Sequence, residues 1–458
     1  MYTMTVKKDN SHMEEVFMDE VQEILHNKAV SLINELNSKV VEREELSAIL
    51  VLTIFSAQNI FLIGKPGVAK TKLLKAVMNS VKDATKFSHL MMHDTKTKAL
   101  FGERIITPNG DIVHNKDYTL LTADFVFLDE IWKAKSEVNN GLLGIMSEDR
   151  EYHPEGAPPV KVPLKTLFGA SNELPTAEVL GALNDRFLFR MVVERIREDE
   201  NFYDMVQGNI DSSSDVETEL YLDDIEFVSK VACETIELKD EIVKSFTELK
   251  NKLIHEENIE VSDRRLVGAI RTVMRVSAYL NGRKEVDESD FLLLNHIIWN
   301  DYDEKEKLKK AIFRHLFSTP QYAQKLLKNA EDEFSKLNTA KQSHLNDFLT
   351  KKIVVPVSEL EEYYSLHIKM TKDLINALYH NYNSYIVSIL ELEERNRRIR
   401  KMAEDNIFTT TQEDHIFDEE FVLSVNKTIK NYRNLISYLE DFVGHCSDVR
   451  SYSEYDGR

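Results

Sequence analysis

The chain has 458 residues, 42% of them hydrophobic and 30% charged, which is typical of a globular protein too long for one core. Its formal net charge of -20 argues against general affinity for nucleic acid, which is therefore not an expected partner. The only two cysteines, Cys233 and Cys446, lie far apart, and we find neither a signal peptide nor an apolar run long enough to span a bilayer. We therefore expect a cytoplasmic protein of two or three domains.

After two predicted N-terminal helices, the chain shows the pattern of a strand, a tight turn and a helix. Ile60–Ile63 is an apolar run typical of a buried strand, and helical character begins near Lys72. Between them lies a candidate phosphate-binding loop of Gly64, Lys65, Pro66, Gly67, Val68, Ala69, Lys70 and Thr71. In such a loop, backbone N–H groups and the helix N-terminus face the phosphates. The pattern alone also fits an ordinary turn between a core strand and a helix.

Three residues of this loop decide how well it suits a nucleotide. Lys70 is expected to reach the β- and γ-phosphates, and the Thr71 hydroxyl is expected to ligate Mg²⁺. Ala69 stands where the usual pattern has glycine. Because alanine tolerates helical backbone angles, we interpret Ala69 as compatible with a phosphate-binding loop.

The second half of the candidate site is an acidic pair further along the chain. Asp124–Asp129 is predicted to be a strand, and its continuous apolar residues indicate a parallel sheet covered on both faces. Asp129 and Glu130 stand at its carboxyl end, where open α/β sheets bind their ligands. We assign Asp129 to the Mg²⁺ site and Glu130 to the polarisation of the attacking water. The alternative interpretation is an acidic helix N-cap.

Polar residues also accompany the next two predicted strands. Asn172 follows the strand Leu164–Ala170 and is expected beside the acidic pair, where it can orient water or the γ-phosphate; an asparagine there also suits an ordinary turn. Arg186 and Arg190 lie at the apolar run Leu188–Val193. We predict that Arg186 points into the nucleotide site of a neighbouring subunit, although either arginine can instead pair with a surface acid.

Changes in composition divide the chain into domains. We predict an α/β core with N-terminal helices at 1–206, a polar Ser-rich linker at 207–219, a helical lid at 220–305 and an α-helical C-terminal region at 306–458. In the lid, Ser262 and Asp263 cap a helix whose first turn contains Arg264 and Arg265. Because cations oppose the helix dipole there, we expect either a phosphate or a partner acid to compensate them.

The C-terminal region is predicted to form a long helical hairpin. Ser358–Asp405 has apolar residues at helical spacing, and Asp418–Val443 is predicted to be the return helix. The tyrosines of this region are interpreted as core residues. The basic run at 395–401 is interpreted as a solvated helix face, although it can also contact an acidic partner or nucleic acid.

The motifs GKPGVAKT, FVFLDEIWKA, GASNELP, LNDRFLFR and SDRR follow one another in an order that resembles the AAA+ ATPases of the MoxR group. The resemblance covers residues 20–305 and is strongest to the RavA branch through LDEIWKA and ASNELP. The chain beyond residue 305 departs from that branch, because it is predicted to be helical and not β-rich. The resemblance implies a five-stranded parallel αβα core with a helical lid, ATP and Mg²⁺ as cofactors, and a homo-oligomeric ring, usually a hexamer.

The resemblance also implies roles for individual residues. It implies a Walker A motif from Gly64 to Thr71, a Walker B motif at Asp129 and Glu130, a sensor-1 residue at Asn172, an arginine finger at Arg186 and a sensor-2 arginine at Arg264. Two predicted hairpins, within 103–121 and at 151–162, match the helix-2 insert and the pre-sensor hairpin, which face the ring pore in such proteins.

Two classes of function are compatible with these motifs. The first is ATP hydrolysis at the subunit interfaces of a ring, coupled to chaperone-like remodelling of a protein client, with a von Willebrand A-type partner as members of the group often have. The second is a nucleotide-gated scaffold with slow hydrolysis that recruits a partner through its C-terminal helices. A nucleic-acid-dependent motor is a third hypothesis, and the acidic charge argues against it.

Overall fold

The computed structural model describes residues 11–106, 112–154, 158–175, 178–208, 213, 215–260, 262–317, 320–352, 354–409 and 419–455. The chain forms two compact units, Met1–Phe313 with Arg400–Thr411, and Arg314–Ile399 with Gln412–Arg458. The tips of both predicted hairpins lie outside the described residues, as do residues 209–212 and 214 of the predicted 207–219 linker.

The first unit is built on a parallel β-sheet, which confirms the predicted α/β fold class. Its strands are, in chain order, β1 (Ile60–Ile63), β2 (Lys86–Leu90), β3 (Glu103–Ile106), β4 (Ile112–Asn115), β5 (Phe125–Asp129), β6 (Glu151–Tyr152), β7 (Val160–Lys161), β8 (Thr166–Ser171) and β9 (Phe189–Val192). Five of them form the sheet, in the order β2-β5-β8-β1-β9. The pairs β3–β4 and β6–β7 are antiparallel and correspond to the two predicted hairpins.

The strand register aligns the ends of the central strands. Ile63 of β1 pairs with Ser171 of β8, and Asp129 of β5 pairs with Ala170 of β8. The residues that follow β1, β5 and β8 therefore meet at one edge of the sheet, which we call the carboxyl edge. The opposite edge, where these strands begin, is the amino edge. The four residues of β1 separate the two edges by about 13 Å.

Helices surround this sheet and form the lid that follows it. They are α1 (Ser11–Lys39), α2 (Glu44–Phe55), α3 (Lys70–Ser80), α4 (Thr97–Phe101), α5 (Ser136–Ile145), α6 (Glu178–Asp185), α7 (Asp199–Gln207), α8 (Leu222–Thr235), α9 (Asp240–His255), α10 (Asp263–Gly268), α11 (Met274–Leu280) and α12 (Tyr302–Leu316). A π-helical turn at Ala269–Val273 joins α10 to α11, and 3-10 helices lie at Leu120–Thr122, Ile131–Lys133 and Glu288–His296. The lid is helical, as the sequence predicted.

The second unit is made of long helices, α13 (Pro320–Lys352), most of α14 (Leu360–Asp405) and α15 (Glu419–Tyr455). All three contribute to one apolar core, for example Leu327, Leu378 and Leu439. The predicted two-helix hairpin was therefore incomplete, because α13 packs against it as a third helix. Among the described residues after 305 we find helices and no strand. In the part of the chain that the structure describes, no helix is both long and apolar enough to cross a membrane.

Candidate active site

The segment between β1 and α3 has the shape expected of a phosphate-binding loop. The Gly64 N–H donates to Ser171 O at 3.1 Å. A Cβ on Gly64 would lie 2.3 Å from Val193 O, so only glycine fits between β1 and the end of β9. The loop is thus fixed at the carboxyl edge. Beyond it, Lys65, Pro66 and Gly67 are exposed and Val68 is buried.

Lys70 and Thr71 form the first turn of α3, directly after this loop. The Lys70 ammonium group donates to Gly64 O, so its side chain points back along the loop. Burial lowers the pKa of Lys70, and the charges of Asp129 and Glu130 partly oppose this shift. The structure therefore brings the lysine within electrostatic reach of both acids of the acidic pair.

Ala69 differs from its sequence-based interpretation. We expected an alanine with ordinary helical angles, but its φ of 64° and ψ of 15° are left-handed. A non-glycine residue in this region costs roughly 1–2 kcal/mol, because Cβ approaches a carbonyl oxygen. Strain is therefore stored in the residue that immediately precedes Lys70.

The acidic pair lies at the end of β5, where it begins a short 3-10 helix. The Glu130 N–H donates to Asp129 Oδ1 at 3.0 Å. Glu130 is also left-handed, with φ 53° and ψ 42°, and its Oε2 lies 3.4 Å from Lys133 Nζ. This buried oxygen accepts no hydrogen bond within the described part of the chain. It therefore has lone pairs to offer to a water molecule.

The remaining polar groups of the carboxyl edge suit a magnesium nucleotide. Asn172 comes directly after β8, between the ends of β1 and β5, and is exposed. Within the described ranges, no three His, Cys, Asp or Glu side chains form a cluster that would hold a metal by themselves. Mg²⁺ is commonly held by one or two carboxylates together with substrate phosphates. The Asp129 carboxylate and the Thr71 hydroxyl fit that kind of site.

Arg186 lies at the amino edge of the sheet. Its backbone oxygen accepts a hydrogen bond of 3.2 Å from Asn59 Nδ2, and Asn59 immediately precedes β1. Its half-buried guanidinium has no hydrogen-bond or ion-pair partner among the described residues. Because the length of β1 separates the two edges, Arg186 stands away from the phosphate-binding loop of its own chain.

Two more arginines accompany Arg186 at the amino edge. Arg264 Nη1 donates to Asp185 O at 2.7 Å, and the charge of Arg186 adds to burial in lowering the pKa of Arg264. Arg150 Nη2 donates to Ala57 O at 3.2 Å. Burial, and then the charge of Arg264, lowers the pKa of Arg150 to about 10. We call Arg150, Arg186 and Arg264 the arginine cluster.

The packing of the helix α10 determines where Arg264, for which the resemblance implies a sensor-2 role, lies within its own chain. The helix α10 packs against the chain that enters β9, since a Cβ on Gly268 would lie 3.3 Å from Leu188 Cδ1. Arg264 is consequently held beside Asp185 at the amino edge. Within one chain, the structure groups Arg264 with Arg186 and not with the phosphate-binding loop.

The neighbouring arginines have structural partners. Arg190 is only 1% exposed and donates to backbone oxygens, including Trp299 O at 2.8 Å, so it cannot reach a second copy of the chain. Arg265 Nε lies 3.0 Å from Asp185 Oδ1. A partner acid therefore compensates Arg265 at the start of α10. Of the two arginines near β9, Arg186 is the one that is free to act outside its own chain.

Two charged residues of this region, Lys133 and Arg150, were not predicted from the sequence. Lys133 had a usable signal, because it stands three residues after Glu130, a spacing at which opposite charges meet when the segment is helical. Arg150 had none. It contacts Ala57 O and Lys165 O, which are far from it in the sequence and close only after the sheet has formed.

Comparison with known proteins agrees with this geometry. The profile described as "MoxR domain in the MoxR-vWA-beta-propeller ternary systems" matches residues 27–229, and a profile described as "AAA lid domain" matches residues 241–312. An uncharacterised protein of Methanocaldococcus jannaschii is 36% identical over 314 residues, which cover 68% of this chain and 79% of the relative. The chain belongs to the MoxR-type AAA+ ATPases. A second uncharacterised protein of that organism is 36% identical over 315 residues, covering 66% of this chain and 81% of the relative.

A solved structure supports the AAA+ fold of this MoxR-type protein. The crystal structure of a "putative ATPase" from Cytophaga hutchinsonii superimposes with a TM-score of 0.54 and 20% sequence identity, covering 66% of this chain and 98% of that one. At this identity the likeness shows the fold alone. In this MoxR-type chain, α9 to α12 overlap the residues matched by the lid profile.

Proposed function

We propose that this MoxR-type protein hydrolyses ATP at the interfaces between identical subunits. One observation carries the proposal. Lys70, Asp129 and Glu130 lie together at the carboxyl edge, whereas the arginine cluster lies at the amino edge of the same sheet. The arginines of one copy can therefore complete the phosphate site only in another copy. A head-to-tail contact of this kind closes into a ring when the rotation between copies permits it.

The chemistry follows from the residues of the carboxyl edge. Lys70 would neutralise charge on the β- and γ-phosphates, and Thr71 and Asp129 would hold Mg²⁺, which when bound neutralises charge on the phosphate oxygens. Glu130 would orient and polarise the attacking water, with Asn172 beside it. Arg186 of the adjacent copy would stabilise the charge that develops on the γ-phosphate, a contribution worth about 10³–10⁵ in rate in related systems.

Arg264 belongs to the same interface in this proposal. Because it stands beside Arg186, it would contact the nucleotide of the adjacent copy and not that of its own chain. Lid movement would then be coupled to the neighbour's nucleotide. The resemblance implies a sensor-2 role for Arg264, and this proposal assigns that role to the nucleotide of the adjacent copy.

The biological role proposed for this hydrolysis is remodelling of a protein partner by a homo-oligomeric ring, for which a hexamer is the expected size. The matching family profile is named for systems that also contain a vWA protein, so a von Willebrand A-type partner is the first candidate. The β3–β4 and β6–β7 hairpins are the elements proposed to contact the protein partner, as in the pore of related rings.

The alternative function is a nucleotide-gated scaffold that recruits a partner through its C-terminal helices. It is favoured by exposed apolar side chains on α14, such as Leu366 at 54% and Leu390 at 57% exposure.

Replacing the proposed water-orienting acid tests the assignment of this site. Glu130→Gln is expected to retain ATP binding and to lose hydrolysis by about 10²–10⁴-fold, because the amide cannot accept a proton from water. Nucleotide binding and phosphate release measured on the same preparation separate the two effects. Glu137→Gln, an exposed acid in the first turn of α5, is the matched control and should leave both unchanged. Normal turnover by Glu130→Gln would refute the assignment.

A further inference from the structure

Three aromatic rings pack together on one face of the sheet, between its two edges. The ring centroids of Phe61 and Trp132 are 4.9 Å apart, those of Phe61 and Phe187 are 5.8 Å apart, and those of Trp132 and Phe187 are 6.1 Å apart. Phe61 and Phe187 are fully buried, and Trp132 is 8% exposed. We call these three residues the aromatic triad.

The members of the aromatic triad are attached to both halves of the proposed reaction site. Trp132 lies two residues after Glu130. It belongs to the same 3-10 helix as Lys133, which is the ion-pair partner of Glu130. Phe187 immediately follows Arg186. Phe61 lies in the middle of β1 and contacts both of the other rings. The triad is therefore a packed connection from the glutamate at the carboxyl edge to the arginine at the amino edge.

The surroundings of the triad favour transmission of small displacements. A Cβ on Gly169 would lie 2.7 Å from Phe187 Cζ, so the Phe187 ring rests directly on the β8 backbone and cannot move toward it. Close-packed interiors pass on a displacement because they contain few voids to absorb it. If Trp132 shifts, Phe61, Phe187 or both must therefore move with it.

Trp132 also has a reason to occupy a second position. Its indole Nε1 is buried and has no hydrogen-bond partner in the described part of the chain. A buried donor without an acceptor destabilises the conformation that contains it. A position in which this N–H finds a partner therefore competes in energy with the one observed. Movement of Glu130 away from Lys133 would displace the 3-10 helix that contains both Lys133 and Trp132.

We propose that the aromatic triad couples the two nucleotide sites that one subunit touches, with Trp132 as a positioning residue for Arg186. Nucleotide bound at Lys70 and Glu130 would change the position of Trp132. The shift would pass through Phe187 and change how far the Arg186 side chain extends into the neighbour's site. By thermodynamic linkage, nucleotide engaged by Arg186 must equally alter the subunit's own site. This inference rests on the proposed function, since it requires Arg186 to serve an adjacent copy.

The reciprocal direction gives a direct spectroscopic test, because the chain has only two tryptophans. A reporter chain carries Lys70→Ala and Trp299→Phe, so it binds no nucleotide of its own and keeps Trp132 as its single tryptophan. A partner chain carries Trp132→Phe and Trp299→Phe and keeps an intact phosphate-binding loop. The two are mixed, and a non-hydrolysable ATP analogue is added.

The expected result is a change in Trp132 emission that saturates together with nucleotide binding to the partner chain. The change should disappear when the reporter also carries Arg186→Ala. Unchanged emission while the partner binds the analogue would overturn the triad proposal and leave the proposed ATPase untouched. Failure of the partner chain to bind the analogue at all would instead refute the proposed function.

A functional readout distinguishes coupling from simple stability. In the otherwise unaltered chain, Trp132→Leu is expected to reduce the coupling between adjacent sites by about 5-fold or more and to bring the Hill coefficient for ATP hydrolysis to about 1. Trp132→Phe keeps a ring and should retain cooperativity. Phe168→Leu is the matched control, because Phe168 is buried in β8 on the face opposite Gly169. An equal loss of cooperativity in the Phe168→Leu control and in Trp132→Leu would contradict the proposal.

Discussion

Ala69 shows how one residue can keep a binding loop in a conformation that its side chain disfavours. Its left-handed backbone turns the chain from the loop into α3 and so fixes the direction in which Lys70 leaves the helix. Gly67, with φ 86°, takes a similar conformation without cost two residues earlier. The surrounding contacts of Gly64 with β8 and β9 hold the strained residue in place.

Removing the Ala69 side chain should relieve this strain. Ala69→Gly is expected to raise the free energy of unfolding of the first unit by about 1 kcal/mol, because glycine adopts positive φ freely. Both tryptophans, Trp132 and Trp299, lie in that unit, so denaturant unfolding followed by their emission measures it. Ala76→Gly in the interior of α3 is the control and should lower stability by a similar amount or more. A loss of stability in both variants would mean that residue 69 is not left-handed.

At the scale of elements, strands were easier to predict than the packing of helices. β1, β5 and β8 are buried on both faces, so their apolar residues are continuous and their ends are marked by polar residues. The helix α13 was not recognised from the sequence as part of the helical bundle of the second unit. Its sequence is highly charged, and its contacts with α14 and α15 come from a few apolar residues, such as Leu327.

The second unit also contains two buried histidines, on α13 and α14, whose rings are in contact. His344 of α13 and His367 of α14 are buried with ring centroids 4.8 Å apart. The Nδ1 atom of each is buried and lacks a hydrogen-bond partner within the described ranges. Burial lowers the pKa of both histidines, and the charge of His344 lowers that of His367 further, while Asp347 opposes this shift.

Acidification should therefore weaken the contact between α13 and α14. In the unfolded chain these histidines bind protons below about pH 6.5, whereas in the folded chain their lowered pKa keeps them neutral to lower pH. The stability from this pair is therefore present above the unfolded pKa, begins to fall at that pKa, and is lost as pH falls through the lower folded pKa. Hydrogen exchange of the α13 and α14 amides should accelerate as the pH falls from about 7.5 to about 5.5, around that unfolded pKa, after correction for the intrinsic rate.

Variants assign this effect to the buried pair. His367→Phe keeps a ring and removes one titrating group, so the pH dependence of exchange should become shallower. His380→Gln, an exposed position of α14, is the control and should leave it unchanged. A pH profile that is the same in His367→Phe and in the natural chain would contradict this explanation.

For the molecule as a whole, the parallel sheet separates the acidic pair and Lys70 at the carboxyl edge from the arginine cluster at the amino edge. The positions of Lys70, Asp129, Glu130 and Asn172 could be predicted because parallel strands end at one edge, and each of these residues follows a recognisable strand. The location of Arg264 could not, because it depends on which side of the sheet α10 packs against, and a helix sequence does not specify that side. The choice between Arg186 and Arg190 likewise needed their burial, which strand periodicity alone did not provide.

Mixing two inactive variants tests whether a phosphate site in one copy is completed by an arginine from another. The Lys70→Ala variant lacks the lysine that contacts the phosphates and retains Arg186. The Arg186→Ala variant lacks that arginine and retains Lys70. Each alone is expected to lose about 10³-fold or more of its ATPase rate.

In an equal mixture of the two, about a quarter of the interfaces would combine an intact phosphate-binding loop with an intact arginine, provided that the copies assemble head to tail at random. The mixture should therefore recover about a quarter of the normal ATPase rate. A mixture as inactive as its two components, under conditions in which they co-assemble, would contradict completion of the phosphate site by Arg186 of a second copy.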